Sequence, residues 1–167
     1  MPLPHLIRSP RFPFIAAFII ACGLFGGAVF IAQTWHLAAC PLCILQRMAC
    51  LALALAAGLG LVMGHTRTGR VFSALLMLAS TLSGAGVAAY QTYIQRFAQD
   101  VQCSGEAAWW ELLVDWAGEK SPLLFQASGL CSDPAWKLFG LSLAEYSLLG
   151  FICLTLLALY TLLRRAR

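Results

Sequence analysis

Cys40, Cys43 and Arg47, in the stretch LAACPLCILQRMAC (37–50), are the residues whose types and spacing point most directly to chemistry. Pro41 suits the first turn of a helix, and its ring biases Cys40 toward an extended conformation just outside. Cys43 then falls within the first turn, where unpaired backbone N–H groups and the positive end of the helix dipole favour a thiolate. Arg47 is four residues further on, on the same face one turn deeper. A cation at that depth in an apolar helix is costly, which makes it a functional candidate; snorkelling toward lipid headgroups is the competing reading. A thiolate aligned with a fixed cation fits redox chemistry. Arg47 would stabilise the thiolate itself, or the anion formed when an electron acceptor is reduced.

Two other readings of the stretch are weaker. Leu37-Ala38-Ala39-Cys40 resembles a lipoprotein cleavage site. The apolar run before it is longer than an ordinary signal core, Gln33 to His36 intervene, and another apolar run follows at once. A metal site is disfavoured because one C-x-x-C supplies two ligands where a closed zinc site takes four. Cys103 and Cys131 belong to a different loop, His5, His36 and His65 lie outside the apolar runs, and Ile44 rather than histidine follows Cys43. No metal is expected.

The elements that must position these residues are membrane helices. The chain has 167 residues, of which 60% are hydrophobic and 11% charged, with a mean hydropathy of +0.79. Four apolar runs, 13–33, 43–63, 71–94 and 145–163, each approach the ~20 residues that a helix needs to cross ~30 Å of hydrocarbon. Each crossing must be helical, because lipid cannot satisfy free backbone groups. The expected fold is an all-α membrane protein, one four-transmembrane-helix bundle over residues 1–167. Arg8, Arg11, Arg67, Arg70, Arg164, Arg165 and Arg167 are seven of the 11 basic residues and share one face. The positive-inside bias makes that face cytoplasmic and puts both termini there. Outside lie a short loop, 34–42, and a long second one, 95–144. The net charge of +4 is thus an insertion signal rather than a nucleic-acid footprint.

Small residues recur at four-residue spacing: Gly23 and Gly27, then Ala52, Ala56 and Gly60, then Ser80, Gly84 and Ala88. Such spacing lets helix backbones approach closely in lipid. In the long loop, 106–119 reads EAAWWELLVDWAGE, with Trp109, Leu112, Leu113 and Trp116 on one face and acids on the other. It predicts a short amphipathic helix, lying either on the membrane surface or packed in a small outer subdomain. Of the seven cysteines, Cys40, Cys43, Cys103 and Cys131 fall on the outer face, where disulfides persist. Four thiols allow three pairings. Cys22, Cys50 and Cys153 lie within spans and read as small buried hydrophobes. There is no G-x-G-x-x-G and no P-loop, and no cysteine lies in a cytoplasmic segment. By elimination, a lipid-soluble quinone at the outer end of the second span is the acceptor that meets these constraints.

The ordered set resembles the bacterial disulfide bond formation protein B (DsbB) family over nearly the whole chain. It comprises four spans, C-x-x-C then Arg opening the second, a cysteine pair in the second outer loop, SGLC ending at Cys131, Trp136, and FGLSLAEYSLLG leading into the last span. The resemblance implies an inner-membrane thiol:quinone oxidoreductase that reoxidises a periplasmic DsbA-like dithiol oxidase and feeds the quinone pool of the respiratory chain. It implies disulfides Cys40–Cys43 and Cys103–Cys131. Cys103 would form the mixed disulfide with the partner, and Cys131 would exchange with Cys40. Cys43 would react with ubiquinone or menaquinone, and Arg47 would help to hold it. Many family members carry a histidine at the outer end of the third span; here AAYQTYIQ places Gln91 in that region, a hydrogen-bond donor that cannot act as an imidazolium. A vitamin K epoxide reductase-like protein is the enzymatic rival, disfavoured because its quinone-side C-x-x-C lies late in the bundle. A non-catalytic membrane module with structural disulfides is the other.

Overall fold

The computed structural model describes residues 9, 11–97, 109–132 and 137–163. Its elements are α1 (Phe12–Thr34), α2 (Pro41–Met63), α3 (Arg67–Phe97), α4 (Trp109–Lys120), α5 (Pro122–Phe125), β1 (Lys137–Leu138), β2 (Leu141–Ser142) and α6 (Leu143–Leu163). Helices α1, α2, α3 and α6 are each long and apolar enough to cross a membrane, and together they form an all-α transmembrane bundle. They extend one to four residues past the expected spans at most ends. The largest extension is in α3, whose 31 residues reach about 46 Å at ~1.5 Å per residue.

Helix α2 packs against α1 on one side and α3 on the other, and α3 packs against α6, whereas α1 and α6 meet only sparsely. The main core joins all four helices through Phe14, Ala17, Leu53, Ala57, Met77, Leu154 and Ala158. Small residues let these helices close up where the sequence placed them. A methyl group at Gly60 would overlap the Phe14 ring, and one at Gly84 would overlap the Phe151 ring. In α1 the same spacing has a different outcome: Gly23 and Gly27 have nothing within 4 Å of a would-be Cβ. They border a cavity along the open α1–α6 seam.

Of the three cysteines read as buried hydrophobes, only Cys50 is buried; Cys22 and Cys153 are exposed on the outside of the bundle. A membrane helix is apolar on its lipid face too, so hydrophobic character alone does not select the inward side.

The expected amphipathic helix is α4, described from Trp109. Val114 and Ala117 are its buried residues, while Trp109, Leu112, Leu113 and Trp116 are exposed. The aromatic stripe is therefore not packed into a subdomain. The single-turn helix α5 and the antiparallel β1–β2 hairpin were not expected from the sequence. The hairpin turns through Phe139 and Gly140, at φ 51° and 80°. Arg96 at the end of α3 donates to Glu145 Oε1 through Nε and Nη2 at 3.1 and 2.6 Å. The Ser142 amide donates to Glu145 Oε2 at 2.7 Å, which joins the hairpin, α3 and α6 at one end of the bundle.

Candidate functional site

The site forms at the start of α2. Cys40 is its N-cap, in the extended conformation (φ −83°, ψ 160°) that a following proline favours. The helix turns Cys43 back toward it, so that the Cys43 amide donates to Cys40 Sγ at 3.4 Å. The Cys40 thiol donates to Cys43 Sγ at 3.1 Å. Both are free thiols, as is Cys131.

Gln91 reaches this pair from α3. Its Nε2 donates to Cys40 Sγ and to Cys43 Sγ, each at 3.2 Å. Its Oε1 accepts from Gln46 Nε2 at 2.7 Å. Arg47 does not snorkel. It is 8% exposed, and its Nη1 and Nη2 donate to the carbonyls of Leu124 at 2.8 Å and Ala28 at 3.3 Å. The guanidinium thus ties α5 and α1 to α2 beside the dithiol.

The third sulfur arrives on the long loop. The amides of Ser128 and Gly129 both donate to Ala39 O, at 2.9 and 3.0 Å. A side chain at Gly129 would collide with the Ala38 carbonyl, so only glycine allows this approach. Gln95 Nε2 donates to Cys131 O at 3.5 Å. Docked in this way, Cys131 is buried in one cluster with Cys40, Leu42 and Ile94. Cys40 hydrogen-bonds with both Cys131 and Cys43, and these contacts together with burial push its thiol well above the ordinary range. The hydrogen bond from Cys40 outweighs burial at Cys131 and holds that thiol below its ordinary value. Of these two loop thiols, Cys131 is thereby the one better suited to carry negative charge.

Of the residues singled out in the sequence, Cys40, Cys43, Arg47, Gln91 and Cys131 come together, whereas Cys103 lies outside the described residues. Gln46 and Gln95 were not singled out, and Gly129 was noted only as part of the SGLC motif. A glutamine beside Arg47 inside an apolar span was a readable signal for Gln46; the other two depend on contacts across the fold.

Two cavities meet the dithiol. A small one of about 50 Å³ is lined by Cys40, Cys43, Arg47, Gln91, Gln95 and Leu130, among others. A larger one of about 220 Å³ runs along the α1–α6 seam, with Leu24, Phe25, Ile31 and Phe151 as apolar walls and Cys43, Gln46, Arg47 and Cys50 lining it from α2. An apolar chamber lined in part by a thiol and a guanidinium fits a flat, lipid-soluble ring bearing carbonyl oxygens.

A membrane-embedded dithiol with a third thiol docked against it defines the class: a membrane protein of thiol–disulfide chemistry. The chain belongs to the family described as disulfide bond formation protein DsbB, whose model matches residues 10–161. It is 34% identical over 160 residues to disulfide bond formation protein B of Aromatoleum aromaticum, covering 95% of this chain and 94% of that protein. It is 37% identical over 134 residues to the protein of the same name in Dechloromonas aromatica, covering 79% of each. It is 39% identical over 141 residues to disulfide bond formation protein B 1 of Pseudomonas fluorescens, covering 83% of this chain and 81% of that protein. The chain is thus a multi-pass membrane protein with an oxidoreductase role in disulfide bond formation.

Proposed function

We propose that the chain is a thiol:quinone oxidoreductase of the bacterial inner membrane, which reoxidises a DsbA-like dithiol oxidase and passes the electrons to ubiquinone or menaquinone. The carrying observation is that the Cys40 thiol donates to Cys43 Sγ, with Cys131 buried in the same cluster as Cys40, beside an apolar cavity lined by Cys43 and Arg47.

In this reading the resting disulfides are Cys40–Cys43 and Cys103–Cys131. A thiolate of the reduced partner attacks Cys103, forming a mixed disulfide and releasing Cys131 as thiolate. Cys131 attacks Cys40, forming Cys40–Cys131 and releasing Cys43 as thiolate. The partner's second thiol resolves the mixed disulfide, leaving the partner oxidised and Cys103 reduced. Cys103 then attacks Cys131, which restores Cys103–Cys131 and leaves Cys40 and Cys43 reduced. Bound quinone supplies the sink for two electrons and two protons. Cys43 presents its thiolate to the cavity, Arg47 offers a cation to a developing oxyanion, and Leu24, Phe25, Ile31 and Phe151 exclude water. Electron flow re-forms Cys40–Cys43, so the sum is partner dithiol plus quinone giving partner disulfide plus quinol. The basic face is cytoplasmic, the cysteine loops are periplasmic, and the exposed stripe of α4 rests on the membrane surface.

The test is anaerobic mixing of the purified protein with reduced DsbA and a soluble quinone, following quinone absorbance. Turnover that is abolished separately by Cys43→Ser and Cys103→Ser supports the reading, and absence of turnover with any dithiol partner overturns it. In the same assay Arg47→Ala is expected to weaken apparent quinone affinity far more than thiol exchange; equal effects would remove the assigned role of Arg47.

A further inference from the structure

Gln46 carries a primary amide into the wall between α2 and α3, one position before Arg47. It is 6% exposed, and its partner Gln91 is 3% exposed. A primary amide has a donor end and an acceptor end, and a half-turn about its last bond exchanges them. The two ends would act oppositely on Cys43. Turned one way, Gln91 offers N–H groups to a thiolate; turned the other, it offers an oxygen that accepts from a protonated thiol. Both options are within reach, since Cys43 Sγ lies 3.2 Å from Nε2 and 3.7 Å from Oε1 of Gln91.

Gln46 breaks this tie. Its Nε2 donates to Gln91 Oε1 at 2.7 Å, shorter than either sulfur contact, and so occupies the acceptor end. The two N–H groups of Gln91 are left to divide between Cys40 and Cys43. Arg47 does not take over this task, because its Nη1 and Nη2 are engaged by backbone carbonyls. The other titratable side chains acting on the sulfurs are Cys131, already docked on Cys40, and Glu111, whose charge bears on Cys131. A buried amide with both ends satisfied resists reorientation, since turning it would leave polar atoms unpaired.

We propose that Gln46 is a positioning residue: by holding the carbonyl oxygen of Gln91, it fixes that amide with both N–H groups toward Cys40 and Cys43, the orientation that stabilises an electron-carrying thiolate. The inference rests on the thiol:quinone reading above only in giving Cys43 that thiolate role.

The test compares iodoacetamide modification of Cys43 in the reduced, detergent-solubilised full chain at pH 7 and pH 10, read on the Cys43 peptide by mass spectrometry. Gln46→Leu and Gln91→Leu are each expected to slow modification at pH 7 by about tenfold, the scale of one hydrogen bond to a charged group. At pH 10, where the thiol ionises more readily, the slowing shrinks toward wild type; a change in mere accessibility would persist. The double variant Gln46→Leu/Gln91→Leu is expected to be no slower than Gln91→Leu alone, because Gln46 acts through Gln91. Should Gln46→Leu not fold, the near-isosteric Gln46→Glu is read in the same way. Its effect must vanish in the Gln91→Leu background, whereas a direct effect of its charge would survive there.

An unchanged pH 7 rate in Gln46→Leu, or an effect that persists without Gln91, overturns the positioning role. Anaerobic turnover of the same preparations separates the two claims. Wild-type turnover with a failed alkylation test removes the role of Gln46 alone. The expected alkylation pattern without turnover supports the amide geometry and removes the thiol:quinone reading.

Discussion

Cys40 lies between two sulfurs, donating to Cys43 Sγ and buried in one cluster with Cys131, and this divides the labour among three otherwise similar thiols. Its two sulfur partners and burial raise Cys40, while its hydrogen bond lowers Cys131. The sign follows directly. A thiolate that receives a hydrogen bond is stabilised, so Cys131 stays ionised to a lower pH than an ordinary cysteine, and reactivity fades only as pH falls below that lowered value. In the reduced protein, iodoacetamide modification of Cys131 is therefore expected to persist below the pH at which an exposed peptide cysteine stops reacting. Cys40→Ala removes the donor and should move the Cys131 profile to higher pH; an unmoved profile would mean that Cys40 is not the donor that matters. The types and spacing of Cys40, Cys43 and Arg47 were legible in the sequence, because one helix start sets all three. The acceptors that hold Arg47 were not, since Ala28 and Leu124 lie 19 and 77 positions away.

At the scale of elements, the bundle is set by where small residues let helices meet. Gly84 of α3 lies under the Phe151 ring of α6, whereas Gly86, two positions on, has open space at its would-be Cβ. Gly84→Leu should therefore destabilise the α3–α6 packing by about 1–3 kcal/mol, the usual cost of overfilling a packed core. Gly86→Leu should be nearly neutral. Thermal unfolding in detergent checks the pair, and equal losses would show that the α3–α6 contact at Gly84 does not decide. The spacing of Gly60 and Gly84 was informative in the sequence, yet the same spacing at Gly23 and Gly27 marks a cavity wall. Spacing reports that backbones could approach; only the neighbouring helix decides whether they do.

For the whole molecule, the dithiol end and the α2–α3 connection lie at opposite ends of the bundle, because a membrane helix separates them. Leu130 and His65 are both exposed, and the proposed topology, with the basic connection cytoplasmic, puts Leu130 on the periplasmic side and His65 on the cytoplasmic side. In a cysteine-free background, Leu130→Cys should react with an impermeant maleimide in intact spheroplasts, and His65→Cys only after permeabilisation. The reverse pattern would invert the topology. The exposed stripe of Trp109, Leu112, Leu113 and Trp116 belongs to the dithiol end, where the same reading lays it on the membrane surface.

The four helices and the register of Cys40, Cys43 and Arg47 were readable from the sequence, because hydropathy and a proline act locally along the chain. The tertiary structure alone decided that Gln46 meets Gln91, that Gly129 lets the Cys131 loop sit on Ala39, and that the α1–α6 seam stays open beside Cys43. Lipid is as apolar as a leucine side chain, so hydrophobicity carries almost no information about which helix face turns inward. That choice is left to side-chain volume and to the few polar groups that must find one another across the bundle.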